Sequence, residues 1–442
     1  MSHPGKMVNL SVDSEQTRQT IDGFGVNINA RYWNPGLLPA MQLLRYDLGS
    51  TLYRVDIWGK SNWIDPTSEL GPDALNEQSL AEVYTGDIFR RGWGMLRWLN
   101  KAGIQPYLTA SGDVPQWMLG SDGKTLLDIE SFTEMLASMV AWAKRQEEIE
   151  FHLFGPLNET DVGSPEGPTV NPQDFVKICE LLVDKLDSRN LTDIQLVVPE
   201  AASFNTSYLH ALIHSRKLYG RIGVFGMHSY GDMSSERYKD VCDLVEGSAF
   251  AGTPLWMTEY GDLEQSGERE WYVAWVMTRR LFDHLLGGFR GALVWDAYDN
   301  YHDHDEAWTI YGLLRTGLRV YTPKKRYFAC KQAFRFVLPG FERQEVVNPA
   351  SEVRVLAFAN PAREQVTLVG MNESFYPIWL NLKLNGLTES VLKAGFSYYR
   401  TNEQENCHTI GQIPVTRTHE SYYSLDVSIP PASIFTLSTL RT

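Results

Sequence analysis

The sequence predicts an α/β fold: a (β/α)8 TIM barrel with an appended antiparallel β-sandwich domain. Three observations predict it. Up to about residue 338, short apolar runs that read as buried strands alternate with stretches of helical periodicity. These strand-like runs number eight, which closes a barrel. After Pro339-Gly340 the helical period disappears, and short strand-like runs follow one another across polar turns. The predicted organisation is residues 1–18 as a strand joining the side sandwich, 19–338 as the barrel and 339–442 as the C-terminal β-sandwich.

In chain order, Val8 to Val12 alternates like a half-exposed strand but has no barrel partner, so it is assigned to the sandwich. Thr20 to Val26 reads as the first barrel strand, its glycines allowing close backbone packing. The other barrel strands are expected at Leu52–Ile57, Ile104–Ala110, Phe151–Gly155, Ile194–Pro199, Ile222–His228, Leu255–Glu259 and Ala292–Asp296. Their apolar bodies suit a parallel sheet covered on both faces. Among the helices the clearest starts at Asn171-Pro172, an N-cap followed by proline at the first helical position. Its Phe175, Ile178, Cys179, Leu182 and Leu186 keep the helical period. Phe132–Arg145 and Trp271–Leu286 are similarly periodic. Sandwich strands are expected at Val353–Ala359, Gln365–Met371, Ile378–Leu384, Phe396–Thr401 and Tyr422–Ile429.

Composition narrows the chemistry. A net charge of −14, from 40 basic and 54 acidic residues, argues against nucleic-acid or anionic-membrane partners. No apolar run has the length of a membrane span, and the N-terminus has no export signal. The expected location is therefore cytoplasmic, or secreted if a leader has been removed. Cys179, Cys242, Cys330 and Cys407 are scattered without metal-type spacing, so no disulfide framework, metal or cofactor is expected. Oligomeric state is left open. The 13 Trp and 21 Tyr suit a carbohydrate partner, whose apolar C–H faces and rimming hydroxyls match amphipathic rings, although core packing claims most such residues.

Two strand ends carry the chemistry. Leu255-Trp256-Met257-Thr258 runs into Glu259, and Phe151 to Gly155 runs through Pro156-Leu157 into Asn158-Glu159. Catalytic groups of such barrels sit at the C-terminal ends of the strands. Two carboxylates there are the minimal set for cleaving a glycosidic bond with retention. Glu259 is assigned as nucleophile and Glu159 as general acid/base. A general acid has to keep its proton near neutral pH, which burial and a neighbouring carboxylate promote. Asn158 is placed to meet the sugar 2-hydroxyl.

Supporting roles fall to neighbouring strand ends. Arg54 is a candidate to hold the nucleophile ionised. His228 and Tyr230 are candidates to orient Glu259 or touch the sugar, and Trp295 to form a platform beneath it. Asn29, Trp58 and Trp117 come from the same rim, where packing is an equal reading. Trp33, Trp58, Trp63, Tyr298 and Tyr301 are expected to close one end of the cleft, favouring attack at chain ends. His302-Asp303-His304-Asp305-Glu306 has a metal-like look, but a polar loop after strand eight is the preferred reading.

At these residues the chain resembles glycoside hydrolase family 30, in the clan of retaining β-glycosidases. The matching pieces are Ile21-Asp22-Gly23-Phe24-Gly25, Pro115-Gln116-Trp117-Met118, Asn158-Glu159 and Thr258-Glu259-Tyr260. Phe334 to Gly340 and Ser428 to Leu437 continue the match, so it spans nearly the whole chain. The resemblance implies an acid/base at Glu159 and a nucleophile at Glu259. It also implies a side domain in which the N-terminal strand joins C-terminal ones. Two departures, the missing first tryptophan of a Trp-Ser-x-Pro-x-Trp-Met pattern at Ser111 to Met118 and Thr160 where proline is common, touch the rim and leave the sugar open. The competing readings are a non-catalytic carbohydrate-binding barrel and a metal-dependent barrel hydrolase.

Overall fold

A computed structural model describes residues 6–58, 71–302, 307–318, 320–419 and 422–440. Strands are numbered in chain order. After β1 (Lys6–Thr20) come β2 (Gly23–Asn29), β3 (Leu52–Trp58), β4 (Tyr107–Ser111) and β5 (Leu153–Gly155). Then follow β6 (Gln195–Ala201), β7 (Ile222–Ser229), β8 (Leu255–Tyr260) and β9 (Gly291–Val294). Strands β2 to β9 pair in sequence order and close into a barrel. They occupy the eight predicted positions, with ends shifted by a few residues.

Local chemistry explains the close fit. Gly25 faces Leu52 across the β2–β3 pair, where a Cβ would lie 1.6 Å from the Leu52 carbonyl oxygen, so only glycine lets these strands meet. All six residues of β8 are buried, as expected where helices cover a parallel sheet. In helix Pro172–Ser188 the Asn171 side chain accepts from the Gln173 and Asp174 N–H groups, each at 3.0 Å. That cap satisfies amides the first turn leaves unpaired, while Phe175, Ile178, Cys179, Leu182 and Leu186 are buried. Two hairpins follow the barrel: β10 (Asn300–His302) with β11 (Ala307–Thr309), and β12 (Leu314–Gly317) with β13 (Val320–Pro323). Among the described residues no helix is long and apolar enough to cross a membrane.

The side domain is one ten-stranded sheet whose two ends fold over a common core. Its strands are β14 (Glu342–Val347), β15 (Val353–Ala359), β16 (Val366–Asn372), β17 (Ile378–Asn385) and β18 (Phe396–Thr401). The remainder are β19 (His408–Ile413), β20 (Thr416–His419), β21 (Tyr422–Ile429) and β22 (Ser433–Ser438). β1 lies between β14 and β17. The expected wholly antiparallel arrangement has one exception, because β1 pairs with β17 in parallel from Lys6↔Ile378 to Asp13↔Asn385. A parallel pair cannot be joined by a hairpin and needs a long crossover. Here the barrel, followed by β14 to β16, is that crossover.

Strand alternation divides the side domain between two cores. Val353, Val355 and Ala357 of β15 join Val8, Leu10 and Val12 inside the sandwich. Leu356 and Phe358 of the same strand pack into the barrel core, with Val369, Met371 and Ile434. Polar groups at this seam are also paired. Thr367 Oγ1 donates to the Phe336 carbonyl at 2.7 Å, and Gln332 Nε2 to Thr401 Oγ1 at 2.8 Å.

Removing residues 340–442 would therefore expose both the barrel face and the apolar side of β1. Each large side chain returned to water forfeits about 1.5–3 kcal/mol, against a typical total stability of about 5–15 kcal/mol. The truncated chain is expected to be insoluble or to lack a cooperative thermal transition. A soluble, cooperatively melting fragment would contradict this integration.

Candidate active site

The site lies where the C-terminal ends of the barrel strands converge. A register shift between β7 and β8 sets His228 opposite Glu259. Glu259 is 5% exposed and both its oxygens are engaged. Arg54 Nη1 donates to Oε1 at 2.5 Å and the Tyr230 hydroxyl to Oε2 at 2.7 Å.

Arg54 is itself buried, and an unpaired buried guanidinium would be prohibitively costly. Its donors are well supplied. Besides Glu259 they reach Asn27 Oδ1 at 2.9 Å, Asn158 Oδ1 at 2.7 Å and the Tyr107 hydroxyl at 3.2 Å. Glu200 Oε1 stands 3.0 Å from Nε as an ion pair. Asn27 in turn donates to the carbonyls of Thr258 and Val294, at 3.0 and 3.2 Å, tying β2 to β8, which carries Glu259, and to the end of β9.

Glu159 follows β5 in a left-handed backbone conformation, φ 42°, with its N–H bonded to the Glu200 carbonyl at 3.0 Å. Such conformations are uncommon for a residue with a side chain and persist where the surroundings hold them. His228 Nδ1 bonds Glu159 Oε1 at 2.8 Å and stands 3.6 Å from Glu259 Oε2. On the other side Nε2 faces Glu200 Oε1 at 3.5 Å, an electrostatic approach too long for a strong hydrogen bond. One oxygen of Glu159, one of Glu259 and a His228 nitrogen all lie within 4.8 Å of one another.

The charges are mutually arranged. Burial opposes a charge on His228, but Glu259, Glu159 and Glu200 outweigh it and push its pKa up to about 10. Burial likewise opposes ionisation of Glu200, yet Arg54 and then His228 pull its carboxyl down to about 2. Asp56, two residues beyond Arg54, accepts from Ser111 Oγ at 2.7 Å; burial pushes it up to about 6 in spite of Arg54. His228 is thus protonated at neutral pH and donates to Glu159.

Linkage gives these shifts a sign. The stability His228 contributes is complete below its ordinary value of 6.5 and is lost as pH rises through about 10. That of Glu200 is present above its ordinary 4.5 and is lost as pH falls towards about 2. Glu200→Gln is expected to destabilise the protein at pH 7 by about 3–5 kcal/mol, because it breaks a buried ion pair. It should also flatten the acid-side loss and move the histidine titration to lower pH. Melting curves against pH and the NMR titration of His228 check this; an unchanged His228 titration would contradict the network.

Of the residues singled out in the sequence, the fold brings Arg54, Asn158, Glu159, His228, Tyr230 and Glu259 into one cluster. Trp295 stands just beyond β9, half-buried, its N–H bonded to the Tyr260 carbonyl at 2.9 Å. Asn29 ends β2, where its side chain accepts from Arg31 N–H at 3.3 Å and caps a short turn. Trp117 packs against the barrel core. Trp58 ends β3, but its side chain, Trp63 and the loop 303–306 with its Asp303, His304, Asp305 and Glu306 lie outside the described residues, as does the side chain of His302. Trp33 is half-buried and packs against the core beside Trp98, and Tyr298 is buried. Tyr301 does stand on the rim with Trp308, and its carbonyl accepts from the Tyr32 hydroxyl.

Sequence reasoning missed Asn27, Asp56, Tyr107, Glu166 and Glu200. Glu200 was within reach, since it follows Pro199 at a barrel strand end, the signal that selected Glu159 and Glu259. Asp56 shares the inward face of β3 with Arg54 by simple alternation. Glu166 comes from a loop that folds back, and local sequence carries no sign of that.

No protein-family profile matches the chain, and no curated protein does. Solved structures match it in fold along its whole length. A glycoside hydrolase family 30 endoxylanase from Clostridium papyrosolvens C71 has 18% identity and a TM-score of 0.74, covering 97% of this chain and 99% of that one. The catalytic domain of the family 30 xylanase C from Talaromyces cellulolyticus has 17% identity, the same coverages and a TM-score of 0.74. An endo-β1,6-glucanase has 14% identity and a TM-score of 0.69, covering 100% of this chain and 96% of that one. The chain therefore has the barrel-and-side-sheet fold of the family 30 glycoside hydrolases.

Proposed function

We propose that this protein is a retaining β-glycosidase acting on a β-linked glycan or oligosaccharide. The observation that carries the reading is the approach of Glu159 and Glu259 to within 4.8 Å, oxygen to oxygen, at the ends of two barrel strands. Retaining enzymes place their carboxyl groups about 5–5.5 Å apart, whereas inverting ones leave about 6.5–9.5 Å for a water. The likeness in fold to xylanases and a β-glucanase supports the same reading.

In this proposal Glu259 Oε2 attacks the anomeric carbon as the bond to the leaving oxygen breaks, and Glu159 supplies the proton that oxygen takes up. Arg54 and Tyr230 each hold one oxygen of the nucleophile and keep it aimed until its charge passes into the new C–O bond. Glu159 then takes a proton from water, which attacks the same carbon and releases Glu259. His228 holds one Glu159 oxygen, leaving the other to face the leaving group. Asn158 meets the 2-hydroxyl, a contact that tightens in the oxocarbenium-like transition state.

A panel of nitrophenyl β-glycosides and plant or fungal oligosaccharides, read by NMR, tests this. The β-anomer should appear first, and a chelator should leave the rate unchanged. First release of the α-anomer would refute retention, and loss of activity to chelator would favour a metal-dependent hydrolase. Product sizes would separate attack at chain ends, which the Tyr32–Tyr301 bridge across one side of the rim favours, from internal cleavage.

A further inference from the structure

Glu166 has no part in the reaction just described, yet the chain takes trouble to place it. The loop after β5 folds back over the strand end. There the Glu166 N–H bonds the Gly163 carbonyl at 3.0 Å, and its own carbonyl accepts from Gly112 N–H at 2.8 Å. The next residue, Gly167, sits so close to the Asn158 carbonyl that a Cβ would stand 2.9 Å from its oxygen. Both sides of Glu166 are thereby anchored, and its side chain reaches the catalytic cluster, where Oε2 accepts from Asn158 Nδ2 at 3.2 Å.

The opposite end of the same amide is held as well. Asn158 Oδ1 accepts from Arg54 Nη2 at 2.7 Å, and because a guanidinium only donates, this fixes which end of the amide is oxygen. One Nδ2 hydrogen goes to Glu166, and among the described residues none takes the second. We propose that Glu166 is a positioning residue for the transition-state contact at sugar C2. It clamps the Asn158 amide from the side opposite Arg54, so that the remaining N–H points at the oxygen on C2. This rests on the retaining-glycosidase reading above.

The protonation state fits the role. Burial, then Glu159, Glu259 and Asp56, push the Glu166 carboxyl up to about 8 against the opposing pull of His228. At neutral pH it accepts from Asn158 as a neutral acid, adding no negative charge to the cluster. Glutamine reproduces that neutral acceptor, whereas alanine and the near-isosteric methionine do not.

The test compares wild type, Glu166→Gln, Glu166→Ala and Glu166→Met on two substrates. These are the nitrophenyl β-glycoside the enzyme cleaves best and its 2-deoxy analogue. For the parent glycoside, alanine and methionine should lower kcat by about tenfold, the size of one well-placed hydrogen bond, with KM changed by less than about threefold. Rates on the 2-deoxy analogue should stay within about twofold, and glutamine should restore most of the parent rate. Methionine keeps the test open should the alanine variant fold poorly. Equal losses on both substrates, no loss on the parent, or no rescue by glutamine would overturn the proposal alone. A wild-type enzyme that cleaves no glycoside would overturn the glycosidase reading and this proposal with it.

Discussion

Glu259→Gln is expected to lower turnover of every glycoside by about 10⁴-fold or more, because an amide cannot displace the leaving group from the anomeric carbon. The geometry makes this a clean substitution. The glutamine oxygen can still accept from Arg54, and its amide N–H can donate to the Tyr230 hydroxyl once that hydroxyl rotates. Folding should survive, so thermal melting near the wild-type value would assign the loss to chemistry. With Glu259→Ala, azide fills the vacated space and attacks the anomeric carbon directly. A single displacement inverts the centre, so the product should be the α-glycosyl azide. Turnover of the glutamine variant within tenfold of wild type would remove Glu259 from the nucleophile's role.

Glu159→Ala should behave differently on different leaving groups. A poor leaving group needs the proton that Glu159 supplies and should slow by about 10²–10⁴-fold, whereas an activated aryl glycoside should still form the glycosyl-enzyme. Without a base to activate water that intermediate should accumulate, visible as a burst of nitrophenol and as an added sugar mass on Glu259. Azide requires no general base. It should restore turnover and yield the β-glycosyl azide, the net result of two inversions. If the two azide products came out the other way round, the roles of Glu159 and Glu259 would have to be exchanged.

The barrel was legible because its strands are self-declaring. Runs such as Leu255 to Met257 are apolar on both faces, and each ends where a polar residue or a turn can emerge at the rim. Helix Pro172–Ser188 was legible from its Asn171 cap, its proline and its period, all of them local. Strand β22 was less so. Ser433 to Ser438 mixes hydroxyl and apolar side chains without strict alternation, and its role is decided by pairing with β16 and β18 rather than by its own pattern. The parallel seating of β1 against β17 depends on residues some 370 positions apart, and no window of sequence reports such a pairing.

The site divides along the same line. The positions of Glu159 and Glu259 at the rim follow from sequence alone, because each carboxylate closes an apolar strand-like run. Which groups surround them is a property of closure. Arg54, Asn158, Glu200, His228 and Glu259 come from five different strand ends, and only the closed barrel turns all five towards one axis. That closure fixes their charges: Glu200 stays ionised because Arg54 is beside it, and His228 stays protonated because three glutamates face it. Glu166 shows the limit most plainly, since it enters by a loop folded over the strand end. Apolar periodicity records what each segment buries, so the sequence by itself determined the strands, the helices and the places of Glu159 and Glu259 at the rim. Which polar groups meet depends on the distances between segments once packed, and only the tertiary structure decided that.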